Sequence, residues 1–309
     1  MLKPSFSIPG VIVPMITPFT AQGTVDIPAI FRLIDHLVAN GASPFVLGTT
    51  GESASISTEQ KRVLVKAMIE ANAKRSLTFA GISSNSYEIS IMEAKHYFEE
   101  GVDIFVAHPP CYYPLSDQQI LSYFEKLADE IPAPLVLYNM PVVTHCSISL
   151  TVIEELSQHT NIIGIKDSER DLGRLKKILD RWGNNPNFAH LVGWGAQMAF
   201  GLMNGSMGIV PSSGNLIPHL YVELLHAARK KDQQETTHLQ KLADRVSRIY
   251  QEGRNLGQSL AALKVMLSEL KLCEPYILPP LNRLGASEEN SIIQQMKISG
   301  VFNQINLTK

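Results

Sequence analysis

Ile162-Ile163-Gly164-Ile165-Lys166-Asp167 is the stretch on which the fold of this 309-residue chain turns. A short apolar run of this length reads as a buried strand. It is followed by Leu172 to Trp182, whose apolar residues recur every three or four positions, as on a helix. The same couple repeats on both sides. Strands are expected at Val11 to Phe19, Pro44 to Gly48, Leu77 to Ser83, Asp103 to Pro109, Pro134 to Pro141, His190 to Gly195 and Met207 to Ser212, which with Ile162 to Asp167 makes eight. Helical stretches fall between them at Thr58 to Lys74, Tyr87 to Glu100, Asp117 to Glu130 and Leu150 to His159. Ser57 with Gln60, Asn85 with Glu88, and Ser116 with Gln119 have the spacing of capping boxes. Strand and helix in repeated alternation predict a parallel α/β architecture.

Eight parallel strands either close on themselves or lie open. No G-x-G-x-x-G turn follows the first strand, which weighs against a dinucleotide-binding open sheet. The expectation is a (β/α)8 TIM barrel over residues 1–220, with functional groups at the carboxyl ends of its strands. Beyond Leu216 the pattern is helical, through Tyr221 to Glu252, Ser259 to Leu272 and Glu288 to Ile298. Residues 221–309 are therefore expected as a C-terminal helical extension packed on the barrel.

Composition narrows the function. At 45% hydrophobic and 18% charged residues the chain can bury a large core and is too apolar for disorder. Twenty-seven basic against 29 acidic residues, with no basic run, argue against a nucleic-acid partner. Trp182 to Val222 contains no charged residue, but its glycines and prolines cut it into pieces too short to span a membrane. Cys111, Cys146 and Cys273 are few and scattered, which fits a reducing cytoplasm and neither a disulfide framework nor a zinc site. Lys3 begins an apolar stretch interrupted by Pro9, Pro14 and Pro18, so no export signal is read there. There is no H-x-H pair or H-E-x-x-H helix, and neither a metal nor another cofactor is expected.

Lys166 sits where a buried strand ends. It is either a lysine snorkelling to solvent, or an amine whose pKa burial lowers until it can attack a carbonyl and form a Schiff base. Tyr138, in Leu137-Tyr138-Asn139-Met140-Pro141, is a packing aromatic or a phenol able to donate and retake a proton beside that amine. Gly48-Thr49-Thr50-Gly51-Glu52 is an ordinary strand-to-helix turn or a cradle of hydroxyls and amides for a carboxylate. His108-Pro109-Pro110-Cys111-Tyr112-Tyr113-Pro114 is a stiff aromatic loop at the same rim.

Taken together, G-T-T-G-E at Gly48 to Glu52, Y-N-M-P at Tyr138 to Pro141 and G-I-K-D at Gly164 to Asp167 resemble the family of pyruvate-dependent class I aldolases and lyases that includes dihydrodipicolinate synthase and N-acetylneuraminate lyase. The resemblance covers nearly the whole chain and implies a (β/α)8 barrel with a helical extension. It implies Lys166 as the Schiff-base residue, Tyr138 as general acid/base, Thr49 as proton relay and Thr50 as holder of the pyruvyl carboxylate. Tyr112 is similar to a family tyrosine that reaches a neighbouring subunit, which implies a homo-oligomer, a dimer or a homotetramer. Gly48, Gly193, Val210 and Arg170 complete the candidate substrate-binding residues.

The chain departs from both named relatives around the second substrate. Val143 stands where dihydrodipicolinate synthases typically carry an arginine, and it cannot offer a bidentate guanidinium fork. Gly193-Trp194-Gly195-Ala196 lacks the acidic pair by which N-acetylneuraminate lyases hold sugar hydroxyls. After Lys166, Arg170 either meets a distal carboxylate or phosphate or forms a solvated pair with Glu169. The expected activity is that of a Schiff-base aldolase or lyase acting on pyruvate or a 2-keto acid, such as a 2-keto-3-deoxy sugar acid. The alternatives are a dihydrodipicolinate synthase with an atypical second-substrate site and a non-catalytic ligand-binding barrel.

Overall fold

Eight short strands make the centre of the computed structural model, which describes residue 8 and residues 10–300. They are β1 (Ile12–Pro14), β2 (Ser43–Val46), β3 (Phe79–Gly81), β4 (Ile104–Ala107), β5 (Leu135–Asn139), β6 (Ile162–Asp167), β7 (Ala189–Val192) and β8 (Gly208–Ile209). Each pairs in parallel with the next in chain order. A parallel bridge from Val11 to Ile209, with the Ile209 amide donating to the Gly10 carbonyl at 2.7 Å, joins the last strand to the first. The sheet closes into the expected barrel, with helices between the strands. Most strands are shorter than the apolar runs that announced them, and β2 and β7 each begin one residue before theirs. Lys3 and Pro9 of the leader reading, and residues 301–309 of the expected extension, lie outside the described residues.

Helix ends follow local chemistry, with three departures from expectation. Ser116 and Gln119 form the full capping box, with Ser116 Oγ accepting from the Gln119 amide and Gln119 Oε1 from the Ser116 amide. Ser57 caps Gln60, but Gln60 Oε1 turns to the Val25 amide instead of completing the box. Asn85 caps nothing: the helix Tyr87–Glu100 starts after Ser86, and Asn85 Oδ1 accepts from the Cys111 amide, bracing the aromatic loop. The run from Tyr221 to Glu252 divides into helices Pro218–Arg229 and Gln233–Gln251, broken where Lys231 adopts φ 58° and Asp232 caps the second. Among the described residues no helix is long and apolar enough to cross a membrane.

Alternation along the strands sorts side chains between two cores. Ile12, Phe45, Phe79, Val136, Tyr138, Ile163, Leu191 and Val210 pack together inside the barrel, whereas Val13, Val46, Leu137, Ile165 and Val192 face the helices. Ile163 and Lys166 are three apart and would face opposite sides of a regular strand. A bulge resolves this: Leu135 pairs with Ile162 and Val136 with Gly164, so Ile163 is the extra residue and the strand changes phase before Lys166.

One glycine shapes the rim of the site. Leu47 adopts φ 59° as β2 turns into the Gly48 to Glu52 segment, a conformation that costs a branched residue about 1–2 kcal/mol. Its carbonyl occupies the space where any side chain on Gly81 would start. Gly81→Ala is therefore expected to push back the Leu47 backbone and destabilise the fold by roughly 1–3 kcal/mol, as overpacking does. Urea unfolding measures this, and an unchanged midpoint would mean that the two backbones can separate freely.

Candidate active site

Parallel registry brings the two central groups together. Tyr138 on β5 and Lys166 on β6 are register partners, so they leave neighbouring strands on the same face. Lys166 is only 5% exposed, with Nζ 3.8 Å from the centroid of the Tyr138 ring and 5.1 Å from that of Phe45. Burial pushes its pKa below the ordinary lysine value, and the Tyr138 phenol opposes this by charge and hydrogen bonding. The snorkelling reading is thereby ruled out, since the amine points into a closed apolar mouth.

Thr49 completes a chain of polar groups with this pair. Its Oγ1 lies 3.1 Å from Tyr138 Oη, and either hydroxyl can donate. The segment curls on itself, the Gly51 amide donating to the Gly48 carbonyl and the Glu52 amide to the Thr49 carbonyl, both at 3.1 Å. Thr50 is buried beside it at 9% exposure. Gly48 leaves the room a side chain would take from the Phe45 ring, which is the same ring that faces the amine. An amine, a phenol and a hydroxyl in this order can attack a carbonyl and shuttle the protons that the attack requires.

The next residue on each strand faces outward and builds a scaffold that the sequence reading missed. Asn139 Nδ2 donates to Asp167 Oδ1 at 3.1 Å, and Asn139 Oδ1 accepts from the Ile148 amide at 3.0 Å. Arg174 Nε donates to Asp167 Oδ2 at 2.9 Å and its Nη2 to the Ile148 carbonyl at 2.9 Å. The signal was available as alternation: if Tyr138 and Lys166 point inward, the residues after them must point outward into the helical layer. Glu169 joins this network through Asn139, Ser147 and Arg174. The pair expected between Glu169 and Arg170 is thus replaced by one with Arg174, and Arg170 is exposed.

The other candidates are distributed around this centre. Val210 is buried in the same inner cluster as Tyr138 and Phe45. Gly193 follows β7 directly, its amide donating to the Asp167 carbonyl at 2.7 Å, and a side chain there would strike Ser168. His108 lies with its ring 6.2 Å from that of Tyr138; burial and the nearby Lys166 hold its pKa below the usual value. Tyr112 and Tyr113 are 75% and 71% exposed and meet edge to face at 5.0 Å. Among the described residues no group of three or more His, Cys, Asp or Glu side chains gathers as metal ligands would.

The sequence matches the Dihydrodipicolinate synthetase family over residues 7–299. The chain belongs to that family. It is 27% identical over 299 residues to the "Putative 2-dehydro-3-deoxy-D-gluconate aldolase YagE" of Escherichia coli K12, covering 94% of this chain and 97% of that one. It is 28% identical to a 4-hydroxy-tetrahydrodipicolinate synthase of Pseudoalteromonas atlantica, covering 95% and 99%. Among solved structures, a dihydrodipicolinate synthase from Bacteroides thetaiotaomicron superposes with a TM-score of 0.89 at 31% identity over 96% of this chain and all of that one. YagE in complex with pyruvate superposes with a TM-score of 0.88 at 26% identity over 94% and 98%. As a member of this family the chain is an enzyme, a lyase of the class I aldolase type.

Burial of Lys166 has a consequence for stability. Its folded pKa lies below the unfolded value of 10.5, so the folded state binds fewer protons between those two values, and stability rises with pH across that interval. Lys166→Met removes the buried amine, and its thermal stability is expected to exceed that of the parent by more at pH 7 than at pH 10.5. Melting curves at the two pH values check this; a gain independent of pH would place the amine in water.

Proposed function

We propose that the chain is a Schiff-base aldolase that forms an imine between Lys166 and pyruvate or the keto group of a 2-keto-3-deoxy sugar acid. The observation that carries this reading is the Lys166 amine, buried against the Tyr138 ring, with the phenol bonded in turn to Thr49. The uncharged amine adds to the ketone. Tyr138 donates the proton that lets the carbinolamine lose water, and Thr49 exchanges protons with the phenol. Thr50, with the Gly48 turn, holds the substrate carboxylate. Loss of a methyl proton from the iminium gives an enamine, whose carbon bonds to an aldehyde in the condensing direction and is released from one in cleavage.

Two features favour a sugar-acid aldehyde as the partner. YagE is similar over nearly the full chain, and Val143 supplies no cation for a second carboxylate. Val142 beside it is apolar and exposed, whereas Trp194 packs on the helix side of β7, next to Asp167 and Arg174. A second reading, 4-hydroxy-tetrahydrodipicolinate synthase, is supported by relatives of that name and would need another group, such as Arg170, for the carboxylate of its second substrate. In both readings Tyr112, open to solvent in the single chain, reaches the site of a neighbouring subunit in a cytoplasmic homo-oligomer, a dimer or tetramer. Gly193 and Val210 shape the wall.

Incubation with pyruvate followed by borohydride is expected to add a mass to the parent protein and none to Lys166→Ala. Absence of the parent adduct would refute the imine. Tyr138→Phe is expected to lower turnover by about 10²-fold or more with folding retained. Steady-state rates on 2-keto-3-deoxy acids and on aspartate semialdehyde with pyruvate then separate the two substrate readings.

A further inference from the structure

We propose that the C-terminal helical extension is a working part of the active site, with the buried Glu52–Lys264 ion pair as the device that fixes the Thr49–Thr50 turn. The inference rests on the imine mechanism above and adds positioning residues more than 200 positions away from the turn they hold.

The turn is strained at both ends. Leu47 has φ 59° and Glu52 φ 57°, each in the left-handed region that non-glycine residues avoid. Such a conformation persists only when its surroundings over-determine it. Thr17 Oγ1 donates to the Gly51 carbonyl at 2.7 Å from the barrel side. From the other side come contacts supplied by the extension. Glu52 Oε1 pairs with Lys264 Nζ, both side chains being fully buried, and Glu52 Oε2 accepts from the Leu278 amide at 3.0 Å. Lys264 Nζ also donates to the Tyr276 carbonyl at 2.8 Å and lies 4.2 Å from the Phe19 ring centroid. Lys264 belongs to helix Leu256–Glu269, and Tyr276 and Leu278 to the segment after it.

Burying a carboxylate and an ammonium rarely adds net stability, because desolvation offsets their attraction. What such a pair gives is a defined geometry, and here that geometry is transmitted over a short path. Glu52 is two residues from Thr50 and three from Thr49, whose hydroxyl must stay within hydrogen-bond reach of Tyr138. The extension grips two more loops at the same end of the barrel. Gln240 bonds to the Gly195 carbonyl and the Ala199 amide after β7, and Tyr250 and Tyr221 bond to Ser212 and Ser213 after β8. Only the contact at β2 leads directly to a residue of the proton chain.

The test replaces both charges at once, Glu52→Gln with Lys264→Met, so that no charge is orphaned. Exchange of pyruvate methyl protons in D2O, followed by NMR, reports enamine formation without a second substrate. The double variant is expected to fold, to raise the KM for pyruvate in this exchange by about 5-fold or more and to lower kcat by about 10-fold or more, as a displaced catalytic group does. Met296→Ala, a cavity in the fully buried face of the last helix, is the control and should lower Tm with KM unchanged. A folded double variant with parental KM and kcat overturns the proposal, as does an equal rise of KM in the control. Should the double variant not fold, hydrogen exchange on the parent decides: pyruvate is expected to protect amides of both 48–53 and 264–278, and protection confined to the first overturns it. Borohydride trapping on the parent is run alongside, so that loss of the imine reading shows itself separately.

Discussion

A primary amine kept out of water at the mouth of a closed sheet is the constraint on which the rest of this structure depends. An ammonium in that position would be poorly solvated, and the neutral amine is the form that the proposed imine mechanism requires. The environment arises from the ring of strands. Phe45 and Tyr138 approach Lys166 from β2 and β5, and both belong to the apolar filling of the barrel. The side chains that fill the barrel are therefore also the ones that keep the amine dry.

Around that amine, each strand end serves two purposes through its alternation. The inward residues, Tyr138 and Lys166, meet substrate in the proposed mechanism, and the outward residues, Asn139 and Asp167, tie β5 and β6 to Arg174 and to the Ile148 backbone. An outward network of this kind fixes the strand ends from behind, where it does not compete for space with a ligand. The bulge at Ile163 makes the arrangement possible, since without the phase change the lysine and the isoleucine could not both face the interior.

Much of the fold was legible because strand and helix periods survive in one sequence. The eight apolar runs and the helical stretches between them announced the architecture, and G-T-T-G-E, Y-N-M-P and G-I-K-D marked three of its strand ends. Where local reasoning went astray, a tertiary partner outbid a local one. Asn85 was free to cap a helix but met the Cys111 amide, Gln60 met the Val25 amide, and Glu169 met Arg174 and not its chain neighbour Arg170.

By itself, then, the sequence determined the periodicity of the barrel and the identity of the amine, phenol and hydroxyls at its rim, because these are properties of short stretches. The tertiary structure decided the rest: the burial of Lys166, the partner of Thr49, and the pairing of Glu52 with Lys264 across more than 200 residues. Such contacts follow from how far the chain travels before it returns, and no local pattern carries that information.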